Sequence, residues 1–156
     1  MAKNTKILYT SKQNFSNVAN KQSGGERKDA EVDWRGDSQD VISGFPLGVK
    51  QNLGYALRMV QQGLTPPDVK IMRTVGDGCF ELRDQDERAW YRVIYRKSKN
   101  GVIRILHCFE KQTNQTEQQD INTARKRLSD VVAEELQEKR NDKRGAKVSS
   151  HKRKRS

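Results

Sequence analysis

The stretch that decides the fold is residues 79–109, which read CFELRDQDERAWYRVIYRKSKNGVIRILHCF. Three segments in it are typical of β-strands: 79–83 alternates apolar and polar residues, and 90–96 and 102–109 are rich in aromatic and β-branched residues. Asn100-Gly101 is a strong hairpin signal, and the polar segment 84–88 predicts the other turn. We therefore predict an antiparallel meander of three strands.

Helical patterns flank this meander. Before it, Asp37 is a candidate cap for a short helix that Gly44 ends, and Pro46 stands where a first helical residue belongs. Apolar residues at helical spacing then lead to a stop at Gly63, namely Val49, Leu53, Ala56, Leu57 and Val60. After the meander, helical spacing returns from about Glu117, at Ile121, Ala124, Leu128, Val131 or Val132, and Leu136.

The order of these elements predicts the fold class. With a short strand at Val32 and Trp34, the order is strand, helical hairpin, three strands and helix. This predicts the α+β class, with a small antiparallel β-sheet and with the N-terminal helical hairpin and the C-terminal helix packed on one of its faces.

The charge is concentrated at one end of the chain. The 156 residues carry a net charge of +11, and residues 139–156 hold nine positive side chains against Asp142. We predict three parts: a flexible polar extension at 1–31 with one short strand at Ile7–Tyr9, a folded domain at 32–138, and a disordered basic tail at 139–156. Such a tail attracts phosphate backbones, or it serves only solubility. Its Lys152–Arg155 run is similar to a nuclear localisation signal, but short basic runs are common by chance.

Composition also excludes several classes of protein. No segment is long and apolar enough for a membrane span, and the N-terminus lacks the pattern of a secretion signal, so we expect a cytoplasmic protein without a membrane partner. Two cysteines are too few for a disulfide scaffold, and with only two histidines and no Cys-x-x-Cys motif the chain has little from which to build a zinc site. We therefore expect no metal and no cofactor, and we expect Cys79 and Cys108 to be free, buried thiols.

Several short segments occur together in a recognisable order. They are Trp34 followed by 36–38 (GDS), Phe45-Pro46, 54–63 (GYALRMVQQG), Lys70, 76–78 (GDG), 81–83 (ELR), 91–95 (YRVIY), 106–111 (LHCFEK) and 124–128 (ARKRL). Over residues 34–129 the chain resembles the phage-derived branch of the RelE/ParE toxin superfamily, close to HigB. It departs from the family pattern at Gln112, where a second lysine is usual, and near Glu117, where a proline is usual.

The resemblance implies a function. Its members are toxins of type II toxin–antitoxin systems, and RelE-type toxins are ribosome-dependent mRNA endoribonucleases that inhibit translation. Their reaction is attack of a ribose 2′-hydroxyl on the adjacent phosphate, which needs a base, an acid and cations but no metal. The implied partners are the ribosome, mRNA and a cognate antitoxin, often a helix-turn-helix protein.

The first three candidate catalytic residues lie on two predicted strands. Alternation places Glu81 and Arg83 on one strand face, and alternation alone favours an ordinary solvated face with an ion pair. The resemblance implies that Arg83 binds phosphate and that Glu81 is the base. Arg92 stands inside an apolar strand, where its charge needs a carboxylate partner or a cleft. The resemblance implies that Arg92 stabilises charge in the transition state.

The remaining candidates are less specific as patterns. His107 is either a structural strand residue or an acid or base, and Lys111 at the strand end is a candidate phosphate ligand. Lys70 and Arg73 are candidates for contacts with RNA backbone. Trp90 and Tyr95 are candidates for base stacking, although aromatic residues in strands more often belong to the core. Arg125, Lys126 and Arg127 form part of a basic helix face that is either functional or merely solvated.

Two other functions stay open at this level. One is a non-enzymatic inhibitor of DNA gyrase, as in the ParE branch, which generally lacks a cleft rich in catalytic cations. The other is a basic nucleic-acid-binding module that depends on residues 139–156, and their deletion would abolish that function while only weakening a cleft enzyme.

Overall fold

The computed structural model describes residues 28–113 and 115–153. The predicted strand at Ile7–Tyr9, and most of the predicted extension, lie outside them. In chain order the elements are β1 (Val32–Trp34), α1 (Ser38–Ser43), α2 (Leu47–Gln61), β2 (Val69–Ile71), β3 (Cys79–Gln85), β4 (Trp90–Lys97), β5 (Ile103–Lys111) and α3 (Gln118–Arg153). None of the helices in this part of the chain combines the length and apolarity that crossing a bilayer requires.

The predicted meander is present as β3, β4 and β5, and it forms the centre of one five-stranded sheet in the order β1-β5-β4-β3-β2. Strands β2 to β5 pair antiparallel, whereas β1 pairs parallel with β5, which the sequence prediction did not include. Strand β2 was also missed, because three residues directly after Pro66-Pro67 are too short to show a period. The α+β class is confirmed.

The helices cover both faces of the sheet, so the prediction that they share one face is wrong. On one face, Tyr91 and Val93 of β4 pack with apolar residues of α1 and α2. On the other, Ile94 of β4 and Leu106 of β5 pack against Ala124 and other residues of α3. The physical reason is that β4 and β5 are apolar at successive positions, as strands buried on both faces are.

A β-bulge in β5 positions one of the candidate residues. Ile94 pairs with His107, and the next residue, Tyr95, pairs with Ile105, so Leu106 is the extra residue between them. Leu106 packs in the α3 cluster and His107 contacts α3, so two consecutive residues of β5 face the same helix.

The predicted helix starts need small corrections. Asp37 precedes α1, but its side chain does not cap that helix; instead its Oδ1 accepts a hydrogen bond from Arg127 Nη2 at 2.7 Å. Pro46 is the cap residue of α2 rather than its first helical residue. The stop at Gly63 is confirmed, because α2 ends at Gln61 and Gly63 has φ +76, a conformation that favours glycine.

Helix α3 runs to Arg153 and therefore includes most of the tail 139–156 that was predicted to be disordered. Its first half is anchored to the sheet by buried residues such as Ala124 and Val131. Extending an anchored helix needs no new nucleus, and no proline occurs after Pro67 to stop it. The composition argument considered burial alone and so missed this extension.

Candidate active site

A cleft of about 610 Å³ opens between β2 with the turn after it, strand β3, and the start of α3. Its lining includes Lys70, Arg73, Glu81, Arg83, Thr116 and Ile121. Four of the nine residues predicted from the sequence thus line a single cleft: Lys70, Arg73, Glu81 and Arg83. Strand pairing explains part of this, because Lys70 of β2 lies directly opposite Glu81 of β3.

The rim of the cleft is cationic. Lys70 and Arg73 are exposed, and the side chain of Arg83 is 34% exposed. Arg83 donates from Nε and Nη2 to Asp68 Oδ1, at 2.8 and 2.5 Å. Because an ion pair at this exposure contributes little to stability, an incoming phosphate can compete with Asp68 for the guanidinium.

The floor of the cleft is a buried ion pair. Glu81 and Arg92 are 2% and 1% exposed, and Arg92 Nε lies 3.5 Å from Glu81 Oε1. The other carboxylate oxygen, Glu81 Oε2, accepts a hydrogen bond from Thr116 Oγ1 at 2.9 Å. The alternative in which Arg92 pairs with Glu81 is therefore confirmed as a contact. Thr116 therefore occupies one acceptor position of Oε2 and covers this oxygen on the cleft side.

Arg92 is held in place by its neighbours on the sheet. Its Nη1 donates to the carbonyl of Tyr91 at 3.0 Å, and its guanidinium lies 5.5 Å from the centre of the Trp90 ring. Burial lowers the pKa of Arg92, Glu81 opposes that shift, and Arg83 adds to it. Arg83 lies directly opposite Arg92 on the paired strand, so both side chains leave the sheet on the face that Glu81 also occupies.

Lys111 adds a further buried cation. It is 6% exposed, its Nζ has no hydrogen-bond partner among residues 28–113 and 115–153, and the ammonium lies 5.9 Å from the centre of the Phe109 ring. Burial lowers the pKa of Lys111, and the positive charge of Arg92 lowers it further, against the opposing effect of Glu81. The end of β5 is therefore electropositive and lies close to the ion pair.

His107 makes its polar side-chain contacts with residues of α3. Its Nε2 lies 2.9 Å from Asp120 Oδ1, and its Nδ1 lies 3.4 Å from Arg127 Nη1. A guanidinium can only donate, so Nδ1 accepts and Nε2 donates to Asp120. The ring also stacks on Phe109, with 4.9 Å between the centroids. His107 is not among the residues that line the cleft.

The two aromatic candidates lie in different places. Tyr95 is 1% exposed on the face that α1 and α2 cover, and it stacks on Phe80 with 5.5 Å between the centroids. Burial raises the pKa of Tyr95 to about 12. A ring in that position cannot reach a base at the cleft, so we do not retain Tyr95 as an RNA contact. Trp90 is half-buried beside Arg92.

Sequence reasoning missed the residues that hold these side chains. Thr116 bonds Glu81, Asp68 pairs with Arg83, and Asp120 pairs with His107. Thr116 and Asp68 belong to connecting segments without a period, and no motif distinguishes them from other surface polar residues. Asp120 lies in the first turn of α3, and it meets His107 across the contact between α3 and β5, which no local pattern reports.

Taken together, the cleft and its surroundings hold five cations, Lys70, Arg73, Arg83, Arg92 and Lys111, and four carboxylates: Asp68 and Glu81, with Asp120 and Glu117 near Lys111. A cluster with this excess of positive charge binds phosphate groups and stabilises negative charge that develops on them. In the part of the chain that the structure describes, no three His, Cys, Asp or Glu side chains are grouped as metal ligands.

The two cysteines are free and buried, as predicted. Burial raises the pKa of Cys79 to about 11 and raises that of Cys108 as well. A thiol with a raised pKa carries little of the reactive thiolate at neutral pH, so neither cysteine is suited to act as a nucleophile.

Comparison with known proteins places this cleft in a family. Neither a curated protein nor a solved structure matches the chain significantly. The family described as "Phage derived protein Gp49-like (DUF891)" matches residues 40–129, which is more than half of the chain and includes α2, strands β2 to β5 and the first turns of α3. The chain therefore belongs to the Gp49-like family of phage-derived proteins, a family of RelE/ParE-like toxins.

Proposed function

We propose that this protein is the HigB-like toxin of a type II toxin–antitoxin system and acts as a ribosome-dependent mRNA endoribonuclease. The observation that carries the proposal is the cleft itself, in which Lys70, Arg73 and Arg83 surround a carboxylate, Glu81, above the buried cations Arg92 and Lys111. The likeness of the family to RelE-type toxins supports the same activity.

The chemistry that suits this cleft is cleavage of RNA by its own 2′-hydroxyl. The 2′-oxygen forms a bond to phosphorus, the bond from phosphorus to the 5′-oxygen breaks, and a 2′,3′-cyclic phosphate remains. Glu81 accepts the proton of the 2′-hydroxyl once Thr116 releases it, and a general acid protonates the leaving 5′-oxygen. Because His107 lies outside the cleft lining, we assign it no proton transfer in this conformation.

The cations have separate tasks in this scheme. Arg83 exchanges Asp68 for the scissile phosphate, using its two parallel donors. Arg92 and Lys111 are buried and therefore act through an electric field that water screens weakly, which favours the added charge on phosphorus in the transition state. Lys70 and Arg73 guide the neighbouring RNA backbone.

The partners follow from the same cleft. We propose that mRNA and the ribosome are its substrate complex, which places the protein in the cytoplasm, and that a cognate antitoxin, of the helix-turn-helix kind, neutralises the toxin by covering the cleft. An acidic antitoxin segment across Lys70, Arg73 and Arg83 would replace Asp68 as the partner of Arg83.

The proposal is tested by mapping new RNA 5′ ends across the transcriptome after a short induction in bacterial cells. Wild type is compared with Arg83→Ala and with the control Arg88→Ala, which removes an exposed arginine from the β3–β4 turn. We expect new ends at a fixed codon phase inside translated frames for wild type and Arg88→Ala only. Growth arrest by wild type without new ends would refute the ribonuclease.

The burial of Glu81, Arg92 and Lys111 favours a second candidate, a toxin that binds its target without cutting RNA, as a gyrase inhibitor does. In that case growth stops with intact mRNA, and plasmid supercoiling falls after induction. The third alternative, a basic nucleic-acid-binding module, predicts that deletion of 139–156 abolishes toxicity while Arg83→Ala leaves it unchanged.

A further inference from the structure

The second half of α3 stands away from the domain. Before it, Glu134 pairs with Arg35, which directly follows β1, and Glu135 pairs with Arg96 of β4. From Leu136 to Val148 every residue is exposed, and the helix continues to Arg153. We call residues 137–153 the basic arm; at 1.5 Å per residue it is about 25 Å long. The family match ends at residue 129, so the arm lies outside it.

Five of the seven lysines and arginines of the basic arm lie on one face. At about 100° per residue, Lys139, Lys143, Lys147, Arg140 and Arg144 fall within an arc of about 140°. All five are exposed. The two acidic residues, Glu138 and Asp142, fall on the other side of the helix. Lys139, Lys143 and Lys147 form a row in which neighbours are about 6 Å apart along the axis.

We propose that this face of the basic arm binds the phosphate backbone of double-stranded RNA, as a contact separate from the cleft. The choice of RNA rests on the proposed function, in which the target is a ribosome that carries mRNA. The arm contains no Phe, Tyr or Trp on which unpaired bases could stack, so it suits backbone contacts rather than single-stranded recognition.

Other partners fit the arm less well. A helix that lies on a membrane needs an apolar face, and Val148 is the one large apolar residue of 137–153. An acidic protein segment would also meet the cations, and the experiment below separates that case from RNA.

The test uses the full chain and a 20-base-pair RNA duplex of mixed sequence, with binding measured by fluorescence anisotropy over a range of salt concentrations. The face variant is Lys139→Gln/Lys143→Gln/Lys147→Gln. The matched control, Asn141→Glu/Gly145→Glu/Val148→Glu, changes the net charge by the same three units at exposed positions on the opposite side of the helix. Circular dichroism checks that both variants keep the helix.

We expect the face variant to weaken binding about tenfold or more at low salt, and to reduce the slope of log affinity against log salt by about 0.9 for each of three lost phosphate contacts. The control should keep the wild-type slope. Equal losses of affinity in both variants would show an effect of net charge and would refute binding through this face of the helix. If neither variant loses affinity for the RNA duplex, the arm is not an RNA contact.

Two further probes complete the test. Tighter binding to a DNA duplex of the same sequence would overturn the choice of RNA, and binding to polyglutamate in place of the RNA duplex would point to an acidic protein. The result is independent of cleavage. RNA binding by the arm without new RNA ends in cells would refute the ribonuclease and support the arm as an RNA contact. New RNA ends in cells without RNA binding by the arm would support the ribonuclease and refute the arm as an RNA contact.

Discussion

At the scale of single residues, the buried pair of Glu81 and Arg92 offers the sharpest test of stability. Replacing one partner leaves the other charge in a site of low polarity, so Glu81→Gln should lower the free energy of unfolding by about 3–5 kcal/mol. Urea denaturation measures this. The control is Glu110→Gln, an exposed carboxylate on β5, which should change stability by less than about 0.5 kcal/mol.

A double variant separates the contribution of the ion pair to stability from that of packing. In Glu81→Gln/Arg92→Met both charges are gone, so part of the loss should be recovered relative to Glu81→Gln alone. The loss in the free energy of unfolding is compared with the losses of Glu81→Gln and Arg92→Met added together. A larger loss in the double variant would contradict a role of Arg92 as the partner of Glu81.

Replacement of Arg83 should affect activity strongly and stability little. Its pair with Asp68 is partly solvated, so Arg83→Ala should change the free energy of unfolding by less than about 1 kcal/mol. Cleavage of mRNA on purified ribosomes should fall by about 10²–10³ if Arg83 binds the scissile phosphate. Arg83→Lys keeps the charge but loses the two parallel donors, so it should restore only part of the activity. Equal activity of all three proteins would exclude Arg83 from the reaction.

The placement of some candidate residues was predictable at this scale, and the exceptions have physical reasons. Alternation in β3 places Glu81 and Arg83 on one face, and the structure shows both at the cleft. Alternation in β4 does not tell which face is covered by which helix, so Tyr95 could not be assigned to the core in advance. The contact between Thr116 and Glu81 joins residues 35 positions apart and leaves no local signal.

At the scale of elements, the approach of α3 to the turn between β2 and β3 is close. A Cβ added to Gly76 would lie 2.4 Å from Leu128 Cδ2, so Gly76→Ala must displace a side chain packed in the α3 cluster. We expect a loss of about 1–3 kcal/mol in thermal or urea unfolding. The matched control is Gly48→Ala in α2, where no atom lies within 4 Å and where alanine should be neutral or stabilising. Equal effects would show that α3 does not press on this turn.

The attachment of β1 should be sensitive to acid. Burial alone would raise the pKa of Asp33, but hydrogen bonds from Arg104 and Arg35 outweigh it, so the pKa lies below 3.8 in the folded protein. Because the unfolded chain then binds protons more readily, this contribution to stability is present above about pH 4 and is lost as the pH falls through the folded pKa.

The corresponding variant is Asp33→Asn. It should be less stable than wild type at pH 7, and the difference should shrink as the pH falls below about 4, as measured by urea unfolding at several pH values. Asp40→Asn, at an exposed position on α1, is the control. A difference that does not change with pH would show that packing, and not the charge of Asp33, holds β1.

Element order was more predictable than element placement. The spacing and the type of apolar residues depend on local sequence alone, and they predicted strands β3 to β5 within 79–109 and the helices α2 and α3, all of which are present. Which face each helix covers, and the parallel pairing of Val32 with Ile103, depend on contacts between distant segments, which periodicity does not report. The length of α3 was missed because burial, rather than helix extension, was used to judge residues 139–153.

At the scale of the whole molecule, the domain should not depend on the basic arm. All residues from Leu136 to Val148 are exposed, so a chain that ends at Glu138 should keep its midpoint of thermal unfolding within about 2 °C. Its helical signal in circular dichroism should fall, because the helix is shortened. A large drop in the midpoint would show that the arm folds back onto the domain.

The parallel pairing of β1 with β5 has a consequence for the order of events during protein synthesis. Val32 pairs with Ile103, a residue that the ribosome adds 71 positions later, which takes roughly 4–14 s at about 5–20 residues per second. The antiparallel pairs β2–β3 and β3–β4 can form earlier, but β1 has to wait for β5, and α3 is made last of all. The strand that begins the described fold is thus among the last to be seated, and the cleft, whose lining runs from Lys70 to Ile121, is complete only once the start of α3 has been added as well.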